Sequence, residues 1–412
     1  MIRWMTVLAT LFVLVGCNPS SNKDNENVTV SGQVMTPDGQ TPLPYATVYI
    51  EDNSALVRNA QTNLCEKPKQ GNFNYVCADA QGHFSLPLNI NEDSNLESNP
   101  NELKVYFEKG TFAFSQSINL QDKSEISLGS IAMPSEKANI VVVEGWFDKM
   151  EWVLANSGFG EWNEAGTALD RSSLDFDLLL SASHQPGDMD DFGDLFDIDA
   201  ETGQAKIYRY DLVLINCVVD EFVYNLEDEA NAHIPEILRE YILTGGHVVF
   251  TDLSYNFLEQ ALPEYIDFYG ADETVYSEPE TLWDASAGVE LTEAVTGKVE
   301  DAQLASFLQG IKCGESNAPC IDENNQVELH GFMANWAMIN EVHPENADQV
   351  KVLVTAQVPD PEDENSFTER PMTVLIKAGE GVVLFSSYHV EDDFSKDYWK
   401  AQERIIQYLL LQ

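Results

Sequence analysis

The sequence predicts two parts of different architecture. An antiparallel β-sandwich is expected over residues 28–134, and from residue 138 to 412 an α/β domain with a mostly parallel sheet. Two patterns predict this. Before residue 135, short alternating segments are punctuated by turn residues, as in half-buried antiparallel strands. Beyond it, unbroken apolar runs alternate with amphipathic stretches, as in parallel strands covered by helices on both faces. A hydrophobic share of 44% over 412 residues allows sizeable cores and excludes wholesale disorder.

In the first part, Val28 to Val34 alternates and Pro37-Asp38-Gly39 turns the chain. Tyr45-Ala46-Thr47-Val48-Tyr49-Ile50 alternates again, and Asp79-Ala80-Gln81-Gly82 turns into His83-Phe84-Ser85-Leu86. Leu103 to Phe107, Ser115 to Leu120 and Ser127 to Met133 complete a set of about six or seven strands, enough for a sandwich. Four stretches here resemble the carboxypeptidase regulatory-like domain: Val30-Ser31-Gly32-Gln33-Val34, Gly39 to Leu43, Ala46 to Ile50 and Gly82 to Leu86. The resemblance implies a transthyretin-like sandwich that serves as a spacer or accessory binding module, without catalytic residues. The insertion between Ile50 and Asp79, which carries Cys65 and Cys77, departs from that pattern.

In the second part, Asn139 to Glu144, Tyr210 to Val219 and His247 to Asp252 are expected strands. Asp148 to Ser157 is expected to be helical. Ala232 to Thr244 is expected to be an amphipathic helix with Ile234, Ile237, Leu238, Tyr241 and Ile242 on one face, closed by Gly245-Gly246. Tyr255 to Leu262 follows the third strand directly. Val350 to Gln357, Met372 to Lys377 and Gly381 to Ser387 supply later strands, and Trp399 to Leu411 a closing helix.

Tyr210 to Asn216, Leu238 to Asp252 and Gly379 to His389 resemble the class I glutamine amidotransferase-like superfamily, which includes the ThuA-like proteins and has a flavodoxin-like fold. The resemblance spans about two thirds of the chain. It implies a nucleophilic cysteine on a tight strand-to-helix turn flanked by glycines, and a His and Glu two residues apart near the end. His389 and Glu391 have that second spacing. The turn, Phe250-Thr251-Asp252-Leu253-Ser254-Tyr255, has neither the cysteine nor the glycines, which implies a degenerate centre. Asp252 and Ser254 stand where the nucleophile belongs, and a serine there would need His389 as its base.

The amino terminus carries a separate message. Arg3, the apolar stretch Met5 to Val15, and Leu14-Val15-Gly16-Cys17 resemble the signal peptide and lipobox of bacterial lipoproteins. The stretch is too short to span a bilayer, which takes roughly 20 apolar residues. The resemblance implies cleavage after residue 16, palmitate-type acylation at Cys17, and several chains together anchoring the protein. Residues 17–27 form the tether, and Asn18 in place of Asp favours the outer membrane over retention at the inner one.

Cleavage removes Arg3 and no acid, leaving 21 basic against 69 acidic residues and a charge of −48. Such a charge repels nucleic acid and anionic lipid, and suits cationic partners, divalent metals or a salty medium. The remaining cysteines fit an oxidising envelope. Cys65 with Cys77, and Cys313 with Cys320, are expected disulfides within loops. A metal site built from these four would lack the CxxC spacing. Cys217, within an apolar run, is expected to be a small packing residue.

Asp188, Asp190, Asp191 and Asp194 crowd one segment and offer oxygen ligands for Ca2+, though not at EF-hand spacing; a solvated acidic loop is the simpler reading. No other cofactor is expected. Asp252-Leu253-Ser254-Tyr255-Asn256 is similar to the Asp-x-Ser-x-Ser metal loop of von Willebrand A domains, but sits on an internal strand. Trp146, Trp152, Trp162, Trp283 and Trp336 include candidates for sugar stacking, although core packing explains most tryptophans.

Two functions of different class follow. The first is a non-catalytic, lipid-anchored envelope protein that binds another envelope protein or a glycan. The alternative is an envelope hydrolase using Ser254 or Asp252 with His389 and Glu391. For the anchor, Cys17→Ser should abolish incorporation of radiolabelled palmitate and move the protein from the membrane to the soluble fraction. Unchanged labelling would refute lipidation at Cys17.

Overall fold

Among the described residues, seven strands form in the first part, and they pair into two sheets. The computed structural model describes residues 26–51, 64–69, 71, 73–90, 102–120, 124–135, 139–145, 147–180, 191–217, 231–270, 288–291, 293–390 and 398–412. Cys17, Asp188, Asp190 and Glu391 lie outside the described residues, as do Trp146 and Trp283. Among the described residues, no helix is long and apolar enough to cross a membrane.

The seven strands are β1 (Glu26–Met35), β2 (Thr47–Tyr49), β3 (Tyr75–Cys77), β4 (His83–Ile90), β5 (Glu102–Lys109), β6 (Phe112–Asn119) and β7 (Glu125–Ala132). One sheet has the order β4-β1-β7 and the other β3-β2-β5-β6. Their apolar faces meet, with Phe84 and Phe107 edge to face at 5.5 Å. The turn before β4 is set by Asp79, whose Oδ1 accepts from the amides of Gln81 and His83 at 2.9 Å. Gly82 has φ 73°, and a Cβ there would meet Val34 O at 2.4 Å, so this turn excludes other residues. One expectation needs correction. β1 pairs with β7 in parallel, so this part is not wholly antiparallel. β7 follows β6 of the other sheet and so reaches β1 without a hairpin between the two, which permits the parallel pairing that a hairpin forbids.

The second part contributes β8 (Ile140–Val143), β9 (Asp177–Leu179), β10 (Leu212–Ile215), β11 (His247–Thr251), β12 (Ile266–Phe268), β13 (Val295–Val299), β14 (Lys312–Cys313), β15 (Ala318–Pro319), β16 (Gln326–Leu329), β17 (Ile339–Val342), β18 (Val350–Asp360), β19 (Asp363–Ala378) and β20 (Gly381–Ser386). Its helices are α1 (Met150–Leu154), α2 (His233–Leu243), α3 (Tyr255–Ala261), α4 (Ala302–Gly310) and α5 (Ala401–Leu410). Nine strands make one sheet in the order β16-β13-β18-β19-β20-β11-β10-β8-β9. From β20 to β9 every pairing is parallel, and from β16 to β20 every pairing is antiparallel. The sheet is therefore mixed, not mostly parallel. The long β18–β19 hairpin adds to the sheet edge without a crossover helix, which only antiparallel strands allow.

β8, β10 and β11 are buried almost throughout, because helices cover both faces. Ile234, Leu238, Tyr241 and Ile242 of α2 pack on one face, as the helical spacing predicts, while Ile237 is only partly buried. Across the sheet, α1, α4 and α5 join a core that continues into the first part through Val48, Phe112 and Leu88. The two parts also share polar contacts, including Tyr45 OH to Gln303 O at 3.1 Å and Arg404 Nη1 to Thr41 Oγ1 at 2.9 Å. Cys65–Cys77 and Cys313–Cys320 are both bonded, stapling their loops as expected, and Cys217 is a buried free cysteine.

β20 begins where the end of α2 presses on it. A Cβ at Gly381 would lie 2.0 Å from Ile242 O and 2.4 Å from Gly246 O. Gly381→Ala must therefore separate α2 from the sheet, and should cost about 1–3 kcal/mol in urea unfolding, within the range for overpacked cores. An unchanged midpoint would refute the close approach.

Candidate functional site

Four parallel strands, β8, β10, β11 and β20, bring their carboxyl ends to one edge of the sheet, the edge where ligand sites form in open parallel sheets. The residues that follow them meet there. Asp148 lies beyond β8, Asn216 and Cys217 follow β10, Asp252 follows β11, and His389 lies beyond β20. All five are buried, none more than 3% exposed.

Asp252 sits on a tight strand-to-helix turn between β11 and α3, with φ 42° in the left-handed region. A non-glycine residue is strained there, and such strain gathers at functional sites. Its Oδ1 accepts from Ala337 N at 2.7 Å. Its Oδ2 lies 3.4 Å from Cys217 Sγ and 3.6 Å from His389 Nδ1. Sequence reasoning thus named two members of a convergent cluster, Asp252 and His389. The turn itself carries no cysteine, and Cys217 reaches Asp252 from the end of the neighbouring strand β10.

Ser254 does something different. Its hydroxyl accepts from Thr251 N at 2.8 Å and shares its hydrogen between Thr251 O at 2.8 Å and Ile215 O at 3.1 Å. Both lone pair and proton are spent on holding the turn and tying it to β10.

Asp148 supports the cluster from behind. Its Oδ1 accepts from the amides of Lys149 and Val390 at 2.8 Å, and its Oδ2 accepts from Thr251 Oγ1. One carboxylate therefore positions the residues next to both Asp252 and His389. Burial raises the Asp148 pKa, with His389 and the three hydrogen bonds acting in opposition. Burial, reinforced by Asp252 and Asp148, likewise pushes the Cys217 thiol well up, so it rests protonated and is a poor nucleophile. Nearby, Asn216 Nδ2 donates to Glu151 Oε2 and to Val143 O, both at 3.0 Å, and Asn216 Oδ1 accepts from Met150 N at 3.1 Å. Cys217, Asp252 and His389 present three donor atoms within 4.8 Å of one another, a set able to hold a metal ion.

Asp148, Glu151 and Asn216 were missed in the sequence, and Cys217 was taken only for packing. The signal that would have found three of them is positional: a polar or sulfur-bearing residue soon after an apolar parallel strand.

The described part of the acidic segment has local structural work. Asp191 and Asp194 cap the short turn Phe192–Phe196 reciprocally, at 3.3 Å each. Asp197 pairs with Lys206 at 3.2 Å and Asp199 with Arg209 at 2.5 Å. Of the tryptophans, Trp336 is buried and its Nε1 donates to Val289 O at 3.0 Å, so it belongs to the core.

A second feature lies on the other side of the molecule, at the junction of the two parts. A cavity of about 290 Å³ is lined by Lys67, Lys69, Lys109, Lys351 and Lys377. Glu66 and Glu108 also line it, but Glu66 Oε1 lies 3.6 Å from Lys377, and Glu108 accepts from Tyr49 OH at 2.6 Å and Lys69 N at 2.8 Å. Lys351 pairs with Asp301 at 2.6 Å. Lys109 donates to the neutral Gln412 Oε1 at 3.0 Å, and among the described residues no carboxylate pairs with it. Burial, with repulsion from Lys351 and Lys377, lowers its pKa to about 8 against the pull of Glu66. Nothing in the sequence pattern marked these five lysines, which come from four separate segments.

No family model matches the sequence, and no curated protein matches it. Solved structures match the chain only at low identity and low structural overlap. One cytoplasmic protein of Salmonella typhimurium is 12% identical, with 66% of this chain and 97% of that chain covered, at TM-score 0.36. Another, from strain LT2, is 13% identical, with 70% and 84% covered, at TM-score 0.30. A glutamine amidotransferase of Thermotoga maritima is 9% identical, with 61% and 75% covered, at TM-score 0.30. Likeness this distant leaves the chemistry to the geometry of the site itself.

Glu151 provides a test of that geometry. Burial raises its pKa from 4.5 to about 8. The folded state therefore holds a proton that the unfolded chain releases, and stability should fall as pH rises from about 4.5 to about 8. Glu151→Gln keeps an acceptor for Asn216 and removes the titration. It should be more stable than the wild type at pH 8.5 by at least about 1 kcal/mol, the worth of one pKa unit, and no more stable at pH 4.5. Parallel stability curves for the two proteins would contradict the burial of this carboxyl.

Proposed function

We propose that this protein is a lipid-anchored, non-catalytic component of the cell envelope that captures a small, multiply charged anion at the junction of its two parts. The observation that carries this reading is the lysine cavity. The whole chain has 22 lysines and arginines and a formal charge of −47, yet five lysines line one space of about 290 Å³. Burial above all, and repulsion from Lys351 and Lys377 in smaller part, hold the Lys109 pKa down to about 8 against the pull of Glu66. An anion bridging the lysines relieves that repulsion, and phosphate or carboxylate groups are natural partners for ammonium donors. Gln303 and Gln412 add amide groups for orientation.

The non-catalytic part of the reading rests on the buried cluster. Ser254 is bound into the turn, Asp252 is held by Ala337 N, and the Cys217 thiol is held protonated. A nucleophile of the amidotransferase kind needs an exposed, activated thiolate on the turn. Here the turn carries Asp252. The lipid at Cys17 and the first part as a spacer complete the proposal, on the strength of the sequence resemblances.

Titration calorimetry in a low-salt buffer, with inorganic phosphate and citrate as probes, tests the anion site. Saturable binding is expected for at least one of them, weakening as pH rises above about 8 and Lys109 loses its proton. Lys69→Gln and Lys109→Met should each weaken it at least about tenfold, or 1.4 kcal/mol. Lys298→Gln, which removes only an exposed pair with Glu300, should leave it unchanged. Absence of saturable heat with both anions, or equal affinity in the two cavity variants, would overturn the reading. Hydrolysis of glutamine or an activated ester by the wild type, lost in His389→Ala, would replace it with the hydrolase alternative.

A further inference from the structure

We propose that Cys217, Asp252 and His389 bind a zinc ion that clamps together the carboxyl ends of β10, β11 and β20. This site shares no residue with the anion cavity, so zinc content and anion binding are measured separately.

Donor chemistry comes first. A thiol, a carboxylate and an imidazole are the three side chains that coordinate zinc, whereas calcium and magnesium take oxygen ligands almost exclusively. Geometry agrees. Tetrahedral zinc with bonds of about 2.3 Å to sulfur and about 2.0 Å to oxygen and nitrogen separates sulfur from oxygen by about 3.5 Å, and nitrogen from oxygen by about 3.3 Å. The corresponding separations here are 3.4 Å for Cys217 Sγ to Asp252 Oδ2 and 3.6 Å for His389 Nδ1 to the same oxygen. All three donor atoms lie within 4.8 Å of one another. Small rotations suffice to close them on a common centre.

The surroundings supply what a metal site needs beyond its ligands. Asp252 Oδ1 is fixed by Ala337 N, which leaves Oδ2 to point at the thiol and the imidazole. Asp148 accepts from Val390 N and from Thr251 Oγ1, and so orients the residues adjoining His389 and Asp252. Charge points the same way. Two buried carboxylates, Asp148 and Asp252, lie at this site, and a divalent cation would offset their charge, displacing the thiol proton as it binds. The three ligands come from sequence positions 217, 252 and 389, so an ion joining them ties distant segments together.

Zinc content by plasma mass spectrometry, on the full chain purified in mild detergent and dialysed against metal-free buffer, decides the matter. A full equivalent is expected in the wild type, and loss of at least nine-tenths of it in both Cys217→Ser and His389→Ala. Cobalt loading of the wild-type chain gives a second readout that does not depend on how either variant folds. It should produce the near-ultraviolet charge-transfer band of a cobalt–thiolate bond together with the strong visible bands of a tetrahedral ion. A strong chelator should lower the thermal midpoint of the wild type and leave that of Cys217→Ser unmoved. A wild-type chain that stays free of zinc after refolding with excess metal and gives no cobalt–thiolate band would overturn the proposal. So would full zinc retention in a folded Cys217→Ser.

Discussion

The parallel ladder of β8, β10, β11 and β20 is the constraint on which the rest of the structure depends. Leu212 lies opposite both Ile140 and His247, and His247 opposite Val382, so the four strands run and end in step. A one-residue slip in any of them would turn its buried side chains to the wrong face, and here both faces are covered. Register is therefore held firmly by packing. Because it is, the residues just past each strand arrive at the same place. Asp148, Cys217, Asp252 and His389 are scattered through the chain, yet their meeting follows from backbone pairing rather than from any local motif.

Electrostatics divides the molecule into regions of opposite character. The chain as a whole is strongly acidic, and several of its described cations pair with carboxylates, as Arg171 does with Glu144 and Arg239 with Glu264. Such exposed pairs add little to stability. Two places depart from this pattern. At the strand ends, carboxylates and a thiol are gathered in a dry interior. At the junction of the two parts, lysines are gathered around a cavity. Each is unfavourable in isolation, and each becomes favourable with a counter-charge of the right sign. The two sites therefore call for opposite ligands.

The turn at Asp252 is held by bonds within the chain. Ser254 and Thr251 bind the turn to β10 and to Asp148 through hydrogen bonds that involve no external ligand. The strained backbone at Asp252 is sustained by these bonds and by Ala337 N. The surrounding aromatic residues Phe250 and Tyr255 are fully buried and leave little room for adjustment.

Much of the local structure was legible from residue pattern alone. Periodicity located α2 and α5 to within two residues at either end, and the unbroken apolar runs located β8, β10 and β11. Cysteine spacing identified both disulfides, because each pair lies in one short loop and needs no knowledge of the fold. The turn at Asp252 was likewise visible through resemblance to a known arrangement, which also singled out His389, found beside it at 3.6 Å. Pairing partners were not. Whether β1 meets β7 in parallel, and whether β18 and β19 extend the sheet as an antiparallel hairpin, depends on contacts between distant segments that no local pattern encodes. The same reason hid Asp148 and the role of Cys217, whose neighbours lie 35 or more residues away, and the lysine cavity, assembled from both parts of the chain. Local propensity and spacing act over a few residues, so they determine elements. Sites are made by register and packing, which only the folded chain decides.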